Sequence, residues 1–268
     1  MSSFLRKVRV ALTPRDSLLK TTLAEGGIVY GKNRAGFGGR GIYVYRDAIE
    51  PEFEHLTKFL DSSGVFVDVG ANTGIYSIKA ARHFDNRGTV ISLEPFPDVF
   101  ATLYRSVQAN GFTNVRLRCL CAGAQTEARP FWMNEGKPHE FSLIQYDAAA
   151  ASMTTLAVKL DDLLRWEGLE GLDFLKIDAE GAEQSVLAGA RQVIAKYRPI
   201  IQVEISVRDS GIDFEDYRGF QAPGSPNKLY IPKGHAKCAV PARLGWREIN
   251  VEEPSPDDSE ALSCAAVG

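Results

Sequence analysis

Residues 65–77 read VFVDVGANTGIYS, and the order of residue types in this stretch decides the fold. The apolar run Val65–Val69, broken only by Asp68, has the length and composition of a buried strand. Gly70 and Gly74 bracket a tight turn, and a helix is predicted from about Ile75 to Phe84. Strand, glycine turn and helix in that order make a phosphate- or carboxylate-binding corner, because the free N–H groups of the helix start face whatever lies above the turn.

Working outward, the same alternation recurs. Val90–Leu93 is a second strand ending in Glu94; Pro95 and Pro97 open a helix with Phe100, Leu103, Tyr104 and Val107 on one face, and Asn110-Gly111 stops it. Val115–Leu120 reads as a third strand. Leu172–Ile177 is another, running straight into Asp178; the helix behind it aligns Val186, Ala190, Val193, Ile194 and Tyr197 until Pro199. Ile200–Ile205 is a further buried strand, with weaker strand signals at Leu229–Ile231 and Trp246–Val251. Upstream, Phe53, Leu56 and Leu60 predict a helix over Glu52–Leu60. Between residues 124 and 153 the pattern is irregular, with one strand around Pro130–Met133 and an Ala-rich link at Ala148–Ala151; Asp161–Leu164 begins a short helix. Strands alternating with helices predict an α/β protein, a mostly parallel sheet with helices on both faces. One domain is expected over residues 1–251, with an N-terminal helical extension to about residue 63 and a disordered acidic tail over 252–268.

Composition narrows the function. With 268 residues, 44% of them hydrophobic, the chain can bury one large core. A net charge of −3 and no dense run of Lys and Arg argue against nucleic acid as partner. Cys119, Cys121, Cys238 and Cys264 lack metal or disulfide spacing and read as reduced thiols. Arg6, Lys7 and Arg9 near the start are followed by no apolar h-region, and no stretch is long enough to span a bilayer. The expected location is the cytoplasm; oligomeric state is left open.

Asn72 stands where a dinucleotide fingerprint has its middle glycine, and no glycine follows three residues after Gly74. The corner therefore favours an adenosyl amino acid over NAD. Glu94, at the end of the next strand, is an acceptor-only side chain placed to take both hydroxyls of a ribose, and Phe96 is positioned to lie near an adenine. A nicotinamide-dependent oxidoreductase would share the loop and the acid but needs a tighter GxGxxG and a Tyr-x-x-x-Lys pair. A non-catalytic adenosyl-binding module would need no acids at the later strand ends.

The segments FVDVGANTGIYS (66–77), LEPFP (93–97), LKIDAEGAEQSVLAGA (175–190) and VEI (203–205), in this order, resemble the FkbM-type family of S-adenosylmethionine-dependent methyltransferases, with SPNKLYIPK (225–233) similar to that family's closing strand. The resemblance implies a Rossmann-like class I methyltransferase fold with a seven-stranded sheet. It also implies that Asp68, Gly70, Ala71, Asn72 and Gly74 hold the methionine part, that Glu94, with Pro95 and Phe96 behind it, holds the ribose, and that Ala122 within Cys121–Gly123 lies beside the adenine. The acceptor it implies is a hydroxyl of a saccharide or other natural product.

Methyl transfer to a hydroxyl needs an aligned acceptor oxygen and a base. Asp178 is the first candidate and Glu180 the second, with Glu204 at the end of the neighbouring strand facing the same cleft. Glu183 reads more simply as an acid at a helix start. Lys176 is expected to pair with an acid. Asp178 and Glu204 together are also candidates for holding Mg²⁺. His139, with Glu135 and Glu140, is a candidate for shaping the acceptor pocket, and Phe131, Trp132, Phe141 and Tyr146 for stacking on a sugar ring.

Overall fold

A computed structural model describes residues 2–34, 36–134, 141–204, 214 and 216–251. Helix α1 (Ser3–Leu12) starts at Ser2, whose hydroxyl accepts from the Leu5 N–H. Next comes an antiparallel ribbon of β1 (Leu18–Thr22) and β2 (Ile28–Lys32), turned through Gly26 at φ 89°. The extension expected to be helical thus contains a hairpin. Leu19 and Thr21 alternate inward opposite Gly31 and Val29, a period of two that a helix does not have. Helix α2 (Gly39–Tyr45) leads to two 3₁₀ turns, Arg46–Ile49 and Phe53–Lys58. The second replaces the helix expected over Glu52–Leu60; it still buries Phe53 and Leu56, and Leu60 just beyond it is buried as well.

The main sheet opens with β3 (Val65–Val69), followed by α3 (Ile75–Phe84), β4 (Thr89–Leu93), α4 (Pro97–Asn110) and β5 (Val115–Arg118). An excursion then builds a separate sheet from β6 (Cys121–Ala122), β7 (Glu127–Met133), β8 (Phe141–Ser142) and β9 (Ala151–Val158). Where a single strand and a link were expected, β7 and β9 pair from Glu127↔Ala157 to Met133↔Ala151. The chain returns through α5 (Leu160–Trp166), β10 (Phe174–Ile177), α6 (Glu183–Ala188), α7 (Arg191–Tyr197) and β11 (Ile200–Val203), and closes with β12 (Tyr217–Gln221), β13 (Lys228–Pro232), α8 (Val240–Arg243) and β14 (Arg247–Ile249).

Strand order is β14-β12-β13-β11-β10-β3-β4-β5, of which β11-β10-β3-β4-β5 are mutually parallel and the remaining three antiparallel. The Rossmann-like α/β class expected from the sequence is the fold observed, with eight strands in place of seven. The additional strand is β12, whose central Gly219 packs against Ile249 and whose short sequence carries little strand signal. Because side chains alternate along a strand, Phe66 joins the core on the α3 side and Val67 the core under α6 and α7. Both faces of the parallel strands are covered, so their carboxyl ends are the open edge where ligands bind. Ile205, residues 135–140 and residues 252–268 lie outside the described residues.

Candidate active site

The loops that leave β3, β4, β6 and β10 at that edge border a cleft. Its floor is the glycine turn. Gly70 lies at φ 68° and its missing side chain is required: a Cβ there would sit 1.7 Å from the Asp178 carbonyl oxygen. The Ala71 N–H donates to Leu93 O at 2.9 Å, which holds the turn against β4, and the Gly74 N–H donates to Ala71 O at 2.8 Å within the turn. Gly74 itself does not border this cleft; it starts α3 at φ 92° and lets Leu103 approach.

Glu94 is buried beside this turn, where its carboxylate accepts the Asn72 N–H at 3.0 Å and the Phe96 N–H at 2.9 Å. Burial pushes its pKa up to about 7 in spite of those two donors. Each oxygen keeps lone-pair capacity for a further donor. Around it, Leu93, Val99, Leu120, Ala122, Phe131 and Leu143 form an apolar slot, with Pro95 at the edge. The buried Asn72 Oδ1 has no hydrogen-bond partner among the described residues. An apolar slot and an acceptor-only carboxylate fit the base and the diol of an adenosyl amino acid.

Two predicted cofactor contacts are placed elsewhere. Asp68 is fully buried beneath the turn, accepting the Ser77 hydroxyl at 2.6 Å with Lys176 Nζ 3.5 Å away, and it borders neither cavity. Its place is structural, because a carboxylate inside the sheet needs these partners more than a ligand does. The Phe96 ring stacks on Phe141 at 4.3 Å and meets Phe37 edge-on at 5.8 Å. Only its backbone serves the site, through Glu94. Of the expected sugar-stacking aromatics, Phe131 and Phe141 wall this first cleft instead.

The turn after β10 forms the opposite wall. Lys176 and Asp178, two residues apart on one face, pair at 3.2 Å, and Lys176 Nζ also donates to Gly70 O at 3.0 Å. Burial alone would lower the Lys176 pKa, but the charges of Asp178, Asp68 and Glu50 more than reverse this and hold the ammonium protonated. Glu183 is structural, as the helix-start reading has it: its Oε1 accepts the Ala179 N–H at 2.8 Å and the Gly181 N–H at 3.1 Å. Glu180, at φ 51°, borders the cleft, and its carbonyl accepts the Ser142 hydroxyl at 2.7 Å, so the excursion roofs the site.

A second cavity adjoins the first and shares Gly36, Gly70, Asn72, Asp178 and Glu180 with it. Ala71 borders this one rather than the first. Its far wall carries Arg34, Arg40, Glu50 and Tyr76, none of which the sequence reading singled out. Tyr76 donates its hydroxyl to Glu50 and accepts from Gln202 Nε2 at 2.9 Å. Burial raises the Glu50 pKa to about 7, against the pull of Tyr76 and Lys176. A sequence signal for the wall does exist in GFGGRG (36–41): at Gly38 a Cβ would stand 2.5 Å from Asn72 Oδ1, so the glycines let this segment lie on the turn.

Glu204 is exposed and borders neither cavity, although β10 and β11 are neighbours with Ile177 opposite Val203. No group of three or more His, Cys, Asp or Glu side chains suited to a metal occurs among the described residues. Asp178 is paired to Lys176 at 3.2 Å, and no observation supports a two-carboxylate Mg²⁺ site. His139, Glu135 and Glu140 lie outside the described residues.

A model of the methyltransferase FkbM domain matches residues 68–222. A methyltransferase of Sordaria araneosa, sdnD, is 28% identical over 225 residues, covering 68% of this chain and 85% of that one. The 31-O-demethyl-FK506 methyltransferase FkbM of Streptomyces tacrolimicus is 27% identical over 202 residues, covering 64% and 76%. Among solved structures, a methyltransferase FkbM from Methylobacillus flagellatus aligns with 20% identity and a TM-score of 0.47 over 71% of this chain. This chain spans 52% of that protein's length.

Proposed function

The chain belongs to the FkbM-type family of methyltransferases, and from that premise we propose that it methylates a hydroxyl of a saccharide or natural-product acceptor, with S-adenosylmethionine as donor. The observation that carries the reading is the wall of Gly70, Asn72, Asp178 and Glu180 common to both cavities. A ligand in the first cleft presents its reactive end to a second molecule in the other. S-adenosylmethionine, when bound, supplies a methyl group made electrophilic by its sulfonium. Glu94 accepts the ribose hydroxyls, and Leu120 and Ala122 flank the base. Asp178, on the boundary, accepts the acceptor hydroxyl's hydrogen bond and takes its proton, with Glu180 beside it; Lys176 fixes the Asp178 carboxylate. An oxygen target agrees with the name of the Streptomyces relative.

Titration calorimetry with S-adenosylmethionine, S-adenosylhomocysteine and NAD⁺ tests the cofactor. Binding of the two adenosyl ligands and not NAD⁺ is expected; NAD⁺ binding alone would overturn the assignment. The affinity for S-adenosylhomocysteine should decline as pH falls through about 7, by at most tenfold per unit, because protonation replaces a Glu94 lone pair by a hydrogen. Glu94→Ala should weaken binding at least tenfold (about 1.4 kcal/mol) with the fold intact, and should abolish that pH dependence. A dependence that survives in the variant assigns the titration to another group.

For the chemical step, Asp178→Asn should lower turnover more than tenfold with cofactor affinity unchanged, since a base acts in the transition state. The assay uses whichever acceptor a transfer screen of glycosides and polyketide alcohols identifies. Unchanged turnover removes Asp178 from the mechanism.

A further inference from the structure

Helix α1 turns its apolar face outward. At 100° per residue, Phe4, Leu5, Val8, Ala11 and Leu12 fall on one side, and that side faces solvent: Phe4 is 70% and Leu12 80% exposed, with Leu5 and Val8 exposed between them. No residue of the helix is buried. The opposite side is the one that touches the body. There Arg6 Nε donates to Val44 O at 2.6 Å and Val10 is half-buried. The helix is tied down at its end by Asn33, whose buried side-chain amide donates to Val10 O at 3.1 Å and Thr13 O at 2.7 Å. The outward face is therefore a fixed surface, with large apolar side chains of a kind that soluble monomers seldom display together.

The charges around this face identify its partner. Lys7 and Arg9 fall on either side of the apolar arc, and residues 2–12 contain no acid, in a chain whose net charge is −3. Apolar residues flanked by cations on a helix that lies flat are the features of a segment that enters the headgroup layer of an anionic bilayer. Its ten residues give roughly 15 Å of helix, half of what a bilayer's hydrocarbon layer requires, and no described helix is long and apolar enough to cross a membrane. A second copy of the chain fits less well. Two-fold pairing through this face would bring the Lys7 and Arg9 rims of both copies together with no carboxylate from residues 2–12 to answer them. We propose that α1 docks the protein onto anionic lipid surfaces, with Phe4, Leu5, Val8 and Leu12 inserted and Lys7 and Arg9 at the headgroups.

The test is flotation of the full chain with phosphatidylcholine vesicles, with and without one phosphatidylserine in three lipids, beside the double variant Phe4→Gln, Leu12→Gln. Both side chains are exposed, so the variant should fold as the parent does. The parent is expected to float with the anionic vesicles, to do so less as salt rises, and to ignore the neutral ones. The variant should partition at least tenfold more weakly. Absence of binding to anionic vesicles, equal binding to neutral ones, or equal binding by the variant overturns the proposal. So does a dimer in sedimentation that the variant abolishes, which would assign the face to a second copy.

Discussion

Lys176→Met should destabilise the protein by about 3–5 kcal/mol, the cost of leaving one member of a buried ion pair without its partner. Lys176 is 5% exposed and Asp68 fully buried, and Asp68 Oδ1 has no hydrogen bond, so the ammonium at 3.5 Å is what answers its charge. Burial already raises the Asp68 pKa with Lys176 in place; removing the cation raises it further. The pH dependence follows from that direction. A carboxyl whose folded pKa stands above its unfolded value, about 3.9 for Asp, costs nothing while both states are protonated. The cost grows as pH rises from the unfolded value to the folded one and is constant above it. The difference in unfolding free energy between variant and parent should therefore be larger at about pH 8 than at about pH 5. Adding Asp68→Asn to the variant should recover more than half of the loss, because the uncompensated charge is gone while the Ser77 hydroxyl keeps an acceptor. Urea denaturation of the parent and the two variants at both pH values measures all of this. A single variant within about 1 kcal/mol of the parent would show that the ion pair has no such role.

How much of this was legible beforehand depends on the range of the interaction. The turn 70–74 and the acid at 94 could be placed because each requirement is local: a left-handed residue, a strand end, a helix start. Glu183 was legible for the same reason, since it caps the turn only two to four residues before it. Asp68 shows the limit. Its position in the strand was correct, yet whether a strand-end acid faces a ligand or the interior depends on Lys176 and Ser77, which approach from β10 and α3. Phe96 was misplaced because its ring partners, Phe37 and Phe141, come from segments far away in the chain. The second cavity was missed for a similar reason: Glu50 meets Tyr76 across the N-terminal segment, and Tyr76 on its own reads as one more apolar position of α3. Two secondary-structure misses had local signals. Glu25-Gly26-Gly27 between alternating residues marks the hairpin of β1 and β2, and Met153–Val158 is rich in strand formers.

The turn at Gly70 carries the second large effect. Gly70→Ala should lower the unfolding free energy by more than about 3 kcal/mol and weaken S-adenosylhomocysteine binding by more than about a hundredfold. Two penalties act at this position and they differ in size. A φ of 68° costs an alanine about 1–2 kcal/mol. The overlap is worse: a Cβ 1.7 Å from the Asp178 carbonyl oxygen and 2.9 Å from its carbon is far inside contact distance, and both atoms are backbone. Nothing there can rotate away. Relief requires β3 and β10 to part at their ends, where the Asp178 N–H donates to Val69 O at 3.1 Å and Lys176 Nζ donates to Gly70 O at 3.0 Å. Parting would break those bonds and move Asn72 and Asp178, which border both cavities. Gly111 separates the two penalties. It has nearly the same φ, 66°, but a Cβ there would meet nothing within 4 Å. Gly111→Ala should then show the conformational cost alone, about 1–2 kcal/mol, with binding unchanged. If thermal unfolding shows equal losses in the two variants, close contact between the turn and Asp178 contributes nothing, and the common wall of the two cavities is not held in the way described. If Gly70→Ala is the worse by 2 kcal/mol or so and alone loses the ligand, the contact between β3 and β10 is what shapes the site.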